Sequence, residues 1–201
     1  SIHNLWEKEG GSGLFPPPSL YATLNMYLLE NIPLRTKNII VFYLLCEFLA
    51  SAPDDQHAKL NRQLQQFCHA FNMPPSTSKF VQGIWLLDHK EYEDSLLYLL
   101  DPSIQSDISS WQHTRIIKAF IFQGRSKLAL RYLRIKRPPM LTREDVKLRL
   151  TVLLANGLIS EAFEFQRLCR DQLSSHDLLS HLFLGCQQTK TMDQLLQLPF
   201  S

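Results

Sequence analysis

The chain has 201 residues, 45% of them hydrophobic and 20% charged, and its 21 Lys and Arg stand against 19 Asp and Glu for a formal charge of +2. A chain of this length can bury about 70% of the surface it exposes when unfolded. It therefore needs no disulfide scaffold, and the near-balanced charge excludes the strong basic excess of a dedicated nucleic-acid domain. No run of about 18 uncharged apolar residues occurs, which excludes a helical membrane span of ordinary length, and the N-terminus lacks the basic, apolar, small-residue order of a signal peptide. Four widely spaced cysteines, Cys46, Cys68, Cys169 and Cys186, contain no CxxC pair and are expected as reduced, buried thiols. Few glycines, abundant leucine and sparse β-branched residues point to helices.

Residues 1–18 read as a leading segment, flexible through "EKEGGSG" and extended through "PPP". Ser19 is a candidate N-cap for a helix over "LYATLNMYLLE", and Pro33 separates it from a second helix over roughly 36–51. Within that second helix, "NIIVFYLLCEFLA" is interrupted by Glu47 and flanked by Lys37 and Pro53, so it is expected to be a core helix. After "SAPDD", Leu60, Leu64, Phe67, Cys68 and Phe71 fall at i, i+4, i+7, i+8 and i+11, one stripe of an amphipathic helix. "MPPSTS" ends it, and Ser76, Thr77 or Ser78 is placed to cap the next helix through "KFVQGIWLL".

From there the sequence resembles itself. Small-then-large pairs recur at Ser95-Leu96, Ala129-Leu130 and Ala162-Phe163, in steps of 34 and 33 residues, with Gln194-Leu195 a fainter fourth 32 residues on. A turn precedes each pair: Asp88-His89-Lys90, Gln123-Gly124-Arg125, Asn156-Gly157 and Gln188-Thr189-Lys190. Gly124 and Gly157 are expected as left-handed residues that close a helix. A helix-turn-helix unit with this period predicts an all-α, solenoid-like stack of helical hairpins, because one hairpin cannot cover its own apolar face. The expected organisation is a single helical domain over 19–201, with N-terminal helices over 19–74 and hairpin repeats over 75–201. "VKLRLTV" (146–152) alternates like a strand, but its place in the repeat matches "RIIKAFIFQ", which predicts helix.

Few side chains suggest chemistry. Asp88-His89 lies in a turn, where Asp suits an N-cap and His suits the C-terminal end of a helix dipole; no nucleophile elbow accompanies it. Ser109 or Ser110 caps the helix holding Trp111-Gln112-His113, and Trp111 is expected to pack beneath the loop from Asp101 to Ser110. Cys169, His176, His181 and Cys186 cluster in sequence, yet their spacing does not match zinc ligands. Lys127, Arg131 and Arg134 share a helix face at i, i+4 and i+7, followed by Lys136 and Arg137. This basic patch would suit an acidic protein or phosphate, but no aromatic or glycine pattern of a nucleic-acid fold accompanies it. No P-loop, dinucleotide fingerprint, EF-hand or paired-carboxylate constellation occurs, so no catalytic, cofactor-binding or metal-binding residue is assigned.

The stretches "FPPPSLYATLNMYLLE", "VQGIWLLDHKEYEDSLLYLLDP", "SSWQHTRIIKAFIFQGRSKLALRYL", "LRLTVLLANGLISEAFEFQRLCR" and "LLQLPF" resemble, in that order, the helical domain of the ELYS family. The resemblance runs over nearly the whole chain. It implies a non-enzymatic α-solenoid module of a nuclear pore assembly factor, located at the nuclear pore and nuclear envelope, that needs no cofactor. Its implied partners are proteins of the pore's Y-shaped scaffold. In full ELYS proteins this segment follows a β-propeller and precedes a long tail with DNA- and nucleosome-binding elements. No AT-hook occurs here, so direct nucleic-acid binding is not expected, and the isolated domain is expected as a monomer. Plant RING-type ubiquitin ligases carrying an ELYS-like region give an alternative parent, with this segment as the docking module and the RING elsewhere. A chromatin-binding domain using the basic patch is the other alternative.

Overall fold

In a computed structural model, residues 20–104, 108–169 and 175–198 are described; the leading segment at 1–18, the cap at Ser19 and the final residues 199–201 lie outside them. The described residues form α-helices joined by turns, with a short 3-10 helix at Pro102–Ile104 and no strand. The chain divides into two compact units, residues 1–89 and 90–201.

The first unit contains α1 (Leu20–Leu28), α2 (Leu34–Ser51), α3 (Asp54–Ala70) and α4 (Pro75–Asp88). Helix α2 is its centre and packs on the other three. Phe42, Tyr43 and Cys46 of α2 meet Leu64 of α3 and Val81 of α4 in one apolar cluster, with Phe67 and Trp85 against it. Helices α2, α3 and α4 each start behind a proline, Pro33, Pro53 and Pro74, whose φ of −58°, −61° and −58° leads into the first turn. The proline carbonyls accept the first helical N–H groups, for example Gln56 N–H on Pro53 at 2.9 Å. Neither Ser76, Thr77 nor Ser78 caps α4. The helix starts at Pro75, so Thr77 lies inside its first turn, buried, and its hydroxyl accepts from Arg35 at 3.4 Å. Two adjacent prolines fix the start earlier than a hydroxyl cap would, because Pro suits the first helical position and restricts the residue before it.

The second unit contains α5 (Tyr92–Leu99), α6 (Ser110–Phe122), α7 (Ser126–Lys136), α8 (Arg143–Ala155), α9 (Ile159–Leu168), α10 (Ser175–Gln188) and α11 (Met192–Leu196). Packing here follows chain order. Helix α7 lies on α5, α6 and α8; α8 also meets α6, α9 and α10; and α11 rests on α9 and α10. "VKLRLTV" falls within α8 and is helical. Its alternation arises because α8 is covered on several sides: Val146, Leu150, Val152, Leu153 and Leu154 are all buried.

The repeat has a structural counterpart in its turns. Lys90, Gly124, Gly157 and Lys190 are left-handed, at φ of 66°, 69°, 71° and 57°. At Gly124, Gly157 and Lys190 the same two bonds close the preceding helix. Gly157 N–H donates to the Leu154 carbonyl and Leu158 N–H to the Leu153 carbonyl, as in a Schellman motif. This corrects the sequence register at both ends. Lys90, not His89, occupies the glycine position. Five residues beyond each left-handed residue come Ser95, Ala129, Ala162 and Leu195, all 0% exposed, so the fourth member is Leu195 rather than Gln194. Another close approach falls between α8 and α10, where a Cβ on Gly185 would strike the Leu154 side chain.

Candidate functional site

The Asp-His pair serves the fold. The Tyr43 hydroxyl on α2 donates to Asp88 Oδ2 at 2.9 Å. His89 donates from Nδ1 to the Trp85 carbonyl at 2.8 Å, which leaves Nε2 3.3 Å from Glu47 of α2. The imidazole also stacks on Trp85, with ring centroids 4.1 Å apart. Burial pushes the Asp88 carboxyl up from its ordinary range, and the Tyr43 hydroxyl pulls it partly back. Together the two residues tie the end of α4 to α2.

His113 is likewise consumed by structure. It is buried on α6, with Nδ1 2.7 Å from the Tyr132 hydroxyl of α7. Burial, then the charge of Lys136, lowers its pKa and favours the neutral ring. Next to this pair, Thr114 donates to Asp145 Oδ1 at 2.7 Å, while the Leu141 and Thr142 N–H groups donate to Oδ2 and Asp145 N–H donates back to Thr142 Oγ1. Burial alone would raise the Asp145 carboxyl; these bonds more than reverse it and hold it below the ordinary range. Trp111 does not pack beneath the preceding loop: it is 64% exposed, because α6 buries His113, Ile116, Ile117 and Phe120 and turns position 111 outward.

The sequence cluster near the C-terminal end does not converge. Cys169 packs with Val146 and Leu178, and Cys186 belongs to the separate cluster around Leu150 and Leu182. His181 pairs with the Thr151 hydroxyl at 2.8 Å, and His176 is exposed. Among the described residues no three His, Cys, Asp or Glu side chains gather as a metal site, and all four cysteines are unpaired.

The basic patch is reorganised. Helix α7 buries Leu128, Ala129, Tyr132, Leu133 and Lys136. Lys136 therefore leaves the surface: its Nζ donates to the Asp101 carbonyl at 2.9 Å, and its stem packs inward. Lys127 and Arg131 stay exposed on a neighbouring face. Arg134 and Arg137 instead border an open groove of about 520 Å³ between α7, α8 and α9, lined by Leu130, Leu133, Arg134, Arg137, Arg149, Leu153 and Glu161. The α7 members fall at i, i+3, i+4 and i+7, and the α8 members at i and i+4, so each helix presents one face. Sequence reasoning missed Arg149, Leu153 and Glu161 as partners of this patch. The i, i+4 pairing of Arg149 with Leu153 was readable; its meeting with α7 required the packing.

Electrostatics within the groove are unequal. Arg134 donates from Nη2 to Glu161 Oε2 at 2.9 Å, across side chains 57% and 47% exposed. Arg149 stands over the Phe165 ring, 4.8 Å from its centroid. Arg137, held at φ 47° as the left-handed C-cap of α7, makes no ion pair among the described residues. Three guanidinium groups thus face one carboxylate over a floor of leucines.

Fold and groove together define an all-helical protein whose histidines are spent on packing and whose most developed surface feature is a basic, leucine-floored groove. The family model described as ELYS: Nuclear pore complex assembly matches residues 2–201. Protein ELYS of Xenopus laevis is 40% identical over 201 residues, covering 100% of this chain and 8% of that protein. Protein ELYS of Homo sapiens is 39% identical over the same 201 residues, 100% of this chain and 9% of that protein. The chain belongs to the ELYS family of nuclear pore complex assembly, and that membership sets it in the nucleus at the pore. It spans less than a tenth of the length of these relatives.

Proposed function

We propose that this chain is a non-catalytic docking module of a nuclear pore assembly factor, an α-solenoid-like stack whose surface receives scaffold subunits of the pore. One observation carries the reading. Lys90, Gly124, Gly157 and Lys190 repeat one left-handed turn, and a fully buried side chain follows each by five residues. Repeated units that lean on their neighbours in chain order create a long surface, which is how stacked hairpins recognise protein partners. The engagement of His89 with Trp85 and Glu47, and of His113 with Tyr132, supports a non-enzymatic role, since neither meets a nucleophile. The groove's preference for an acidic partner fits docking better than duplex DNA, whose phosphates offer nothing to a leucine floor.

Affinity capture from nuclear extract with the tagged chain, followed by mass spectrometry, tests this reading. Recovery of pore scaffold subunits is expected, and it should survive nuclease treatment. Recovery of ubiquitin-pathway proteins without scaffold subunits would assign the chain to a ligase parent. Loss of every partner on nuclease treatment would assign it to chromatin.

A further inference from the structure

We infer that the groove between α7, α8 and α9 is a binding site for an acidic protein segment that carries an apolar anchor residue. The inference rests on the docking reading and adds the chemistry of the partner. Leu130, Leu133 and Leu153 give the site an apolar floor, while Arg134, Arg137 and Arg149 stand along it. Guanidinium groups are suited to carboxylates because their fork of N–H donors matches both oxygens. The Arg149 guanidinium already lies over Phe165, which fixes its position and reduces the rotamer freedom lost on binding.

Glu161 acts as an internal placeholder. Its pair with Arg134 is solvent-exposed, and exposed pairs of this kind contribute little, so an incoming carboxylate can displace it. Arg137 has no carboxylate to lose first, so it is the cation available for initial encounter. Volume agrees with this division: a groove of about 520 Å³ admits an anchor side chain and flanking backbone. A sugar-phosphate strand would use the cations and leave the floor idle. An acidic segment with a leucine-like side chain uses both.

The test is fluorescence anisotropy with a labelled Asp/Glu-rich peptide holding a central leucine, titrated with the full 201-residue chain at low and physiological ionic strength. Arg134→Glu with Arg137→Glu should weaken binding by about tenfold or more. Glu161→Gln should tighten it by about threefold, because the competing carboxylate is gone. Replacing the peptide leucine by serine should weaken it by about tenfold. Circular dichroism checks folding, and the gain expected from Glu161→Gln cannot arise from misfolding. Unchanged affinity in the double variant overturns the proposal. So does a preference for duplex DNA that is lost in Lys127→Glu with Arg131→Glu. If the wild-type chain recovers scaffold subunits and the double variant recovers them equally, this site is wrong and the docking reading stands. If the peptide binds as described and no scaffold subunit is recovered, the site stands and the docking reading fails.

Discussion

Residues 20–89 start three of their helices behind prolines, whereas residues 90–198 end helices on left-handed residues and open two of them with reciprocal caps. In the first unit Pro33, Pro53 and Pro74 set the helix starts without side-chain caps. In the second, Ser109 N–H donates to Gln112 Oε1 at 2.8 Å, and Thr142 exchanges bonds with Asp145. Proline punctuation fixes where a helix begins but imposes no period. A left-handed turn followed after five residues by a tightly packed side chain fixes both the turn and the distance to the next helix. The second unit therefore reads as a repeat and the first does not.

The comparison can be broken most forcefully at the packed positions. Ala162 is fully buried five residues past Gly157, so Ala162→Leu should overpack the second unit and cost about 3 kcal/mol, measured by urea unfolding. Hydrogen exchange resolved by helix should show the loss over α8–α11 and leave α2–α4 as they were. Asp145→Ala should cost about 2 kcal/mol, since it removes a reciprocal cap and leaves Thr114 without its acceptor. Asp88→Ala in the first unit should cost about 1 kcal/mol, because only the single Tyr43 bond is lost at a more exposed site.

Acid should also act on the second unit. His113 and His181 both have pKa values lowered by burial and then by a nearby lysine, Lys136 and Lys147 respectively. As the pH falls, the unfolded chain takes up protons first, near its ordinary histidine value of about 6.5. Stability is therefore full above that pH and is lost as the pH drops through it toward the folded-state values. Unfolding midpoints from pH 7.5 to 5.5 should fall, and His113→Asn should flatten that fall. The smallest effects lie in the turns. Gly157→Ala should cost about 1 kcal/mol, all of it backbone strain, since nothing lies within 4 Å of the added Cβ. Lys190→Gly should gain up to about 1 kcal/mol by relieving the same conformation at φ 57°.

Glycine made the turns at 124 and 157 legible, because only glycine enters the left-handed region without a Cβ penalty. Lysine at 90 and 190 carries no such mark, and the register slipped by one residue at both ends of the repeat. The helical nature of "VKLRLTV" was legible from its place in the period, against its local alternation. Charge misled at Lys136, whose amine reaches the Asp101 carbonyl and whose stem joins the core. Size misled at Trp111, since the ring sits on the face of α6 opposite its buried stripe. Half of the groove was visible as Arg134 and Arg137. Arg149 and Glu161 belong to it through the packing of α8 and α9 on α7, which no local spacing encodes.

Hydrogen–deuterium exchange of the chain, alone and bound to purified pore scaffold subunits, tests most directly whether the ordered helical stack of the second unit is the docking surface. Slower exchange along α7, α8 and α9, abolished together with binding by Arg134→Glu and Arg137→Glu, is the predicted result. Protection confined to residues 20–89, with α7–α9 unchanged in the complex, would contradict it.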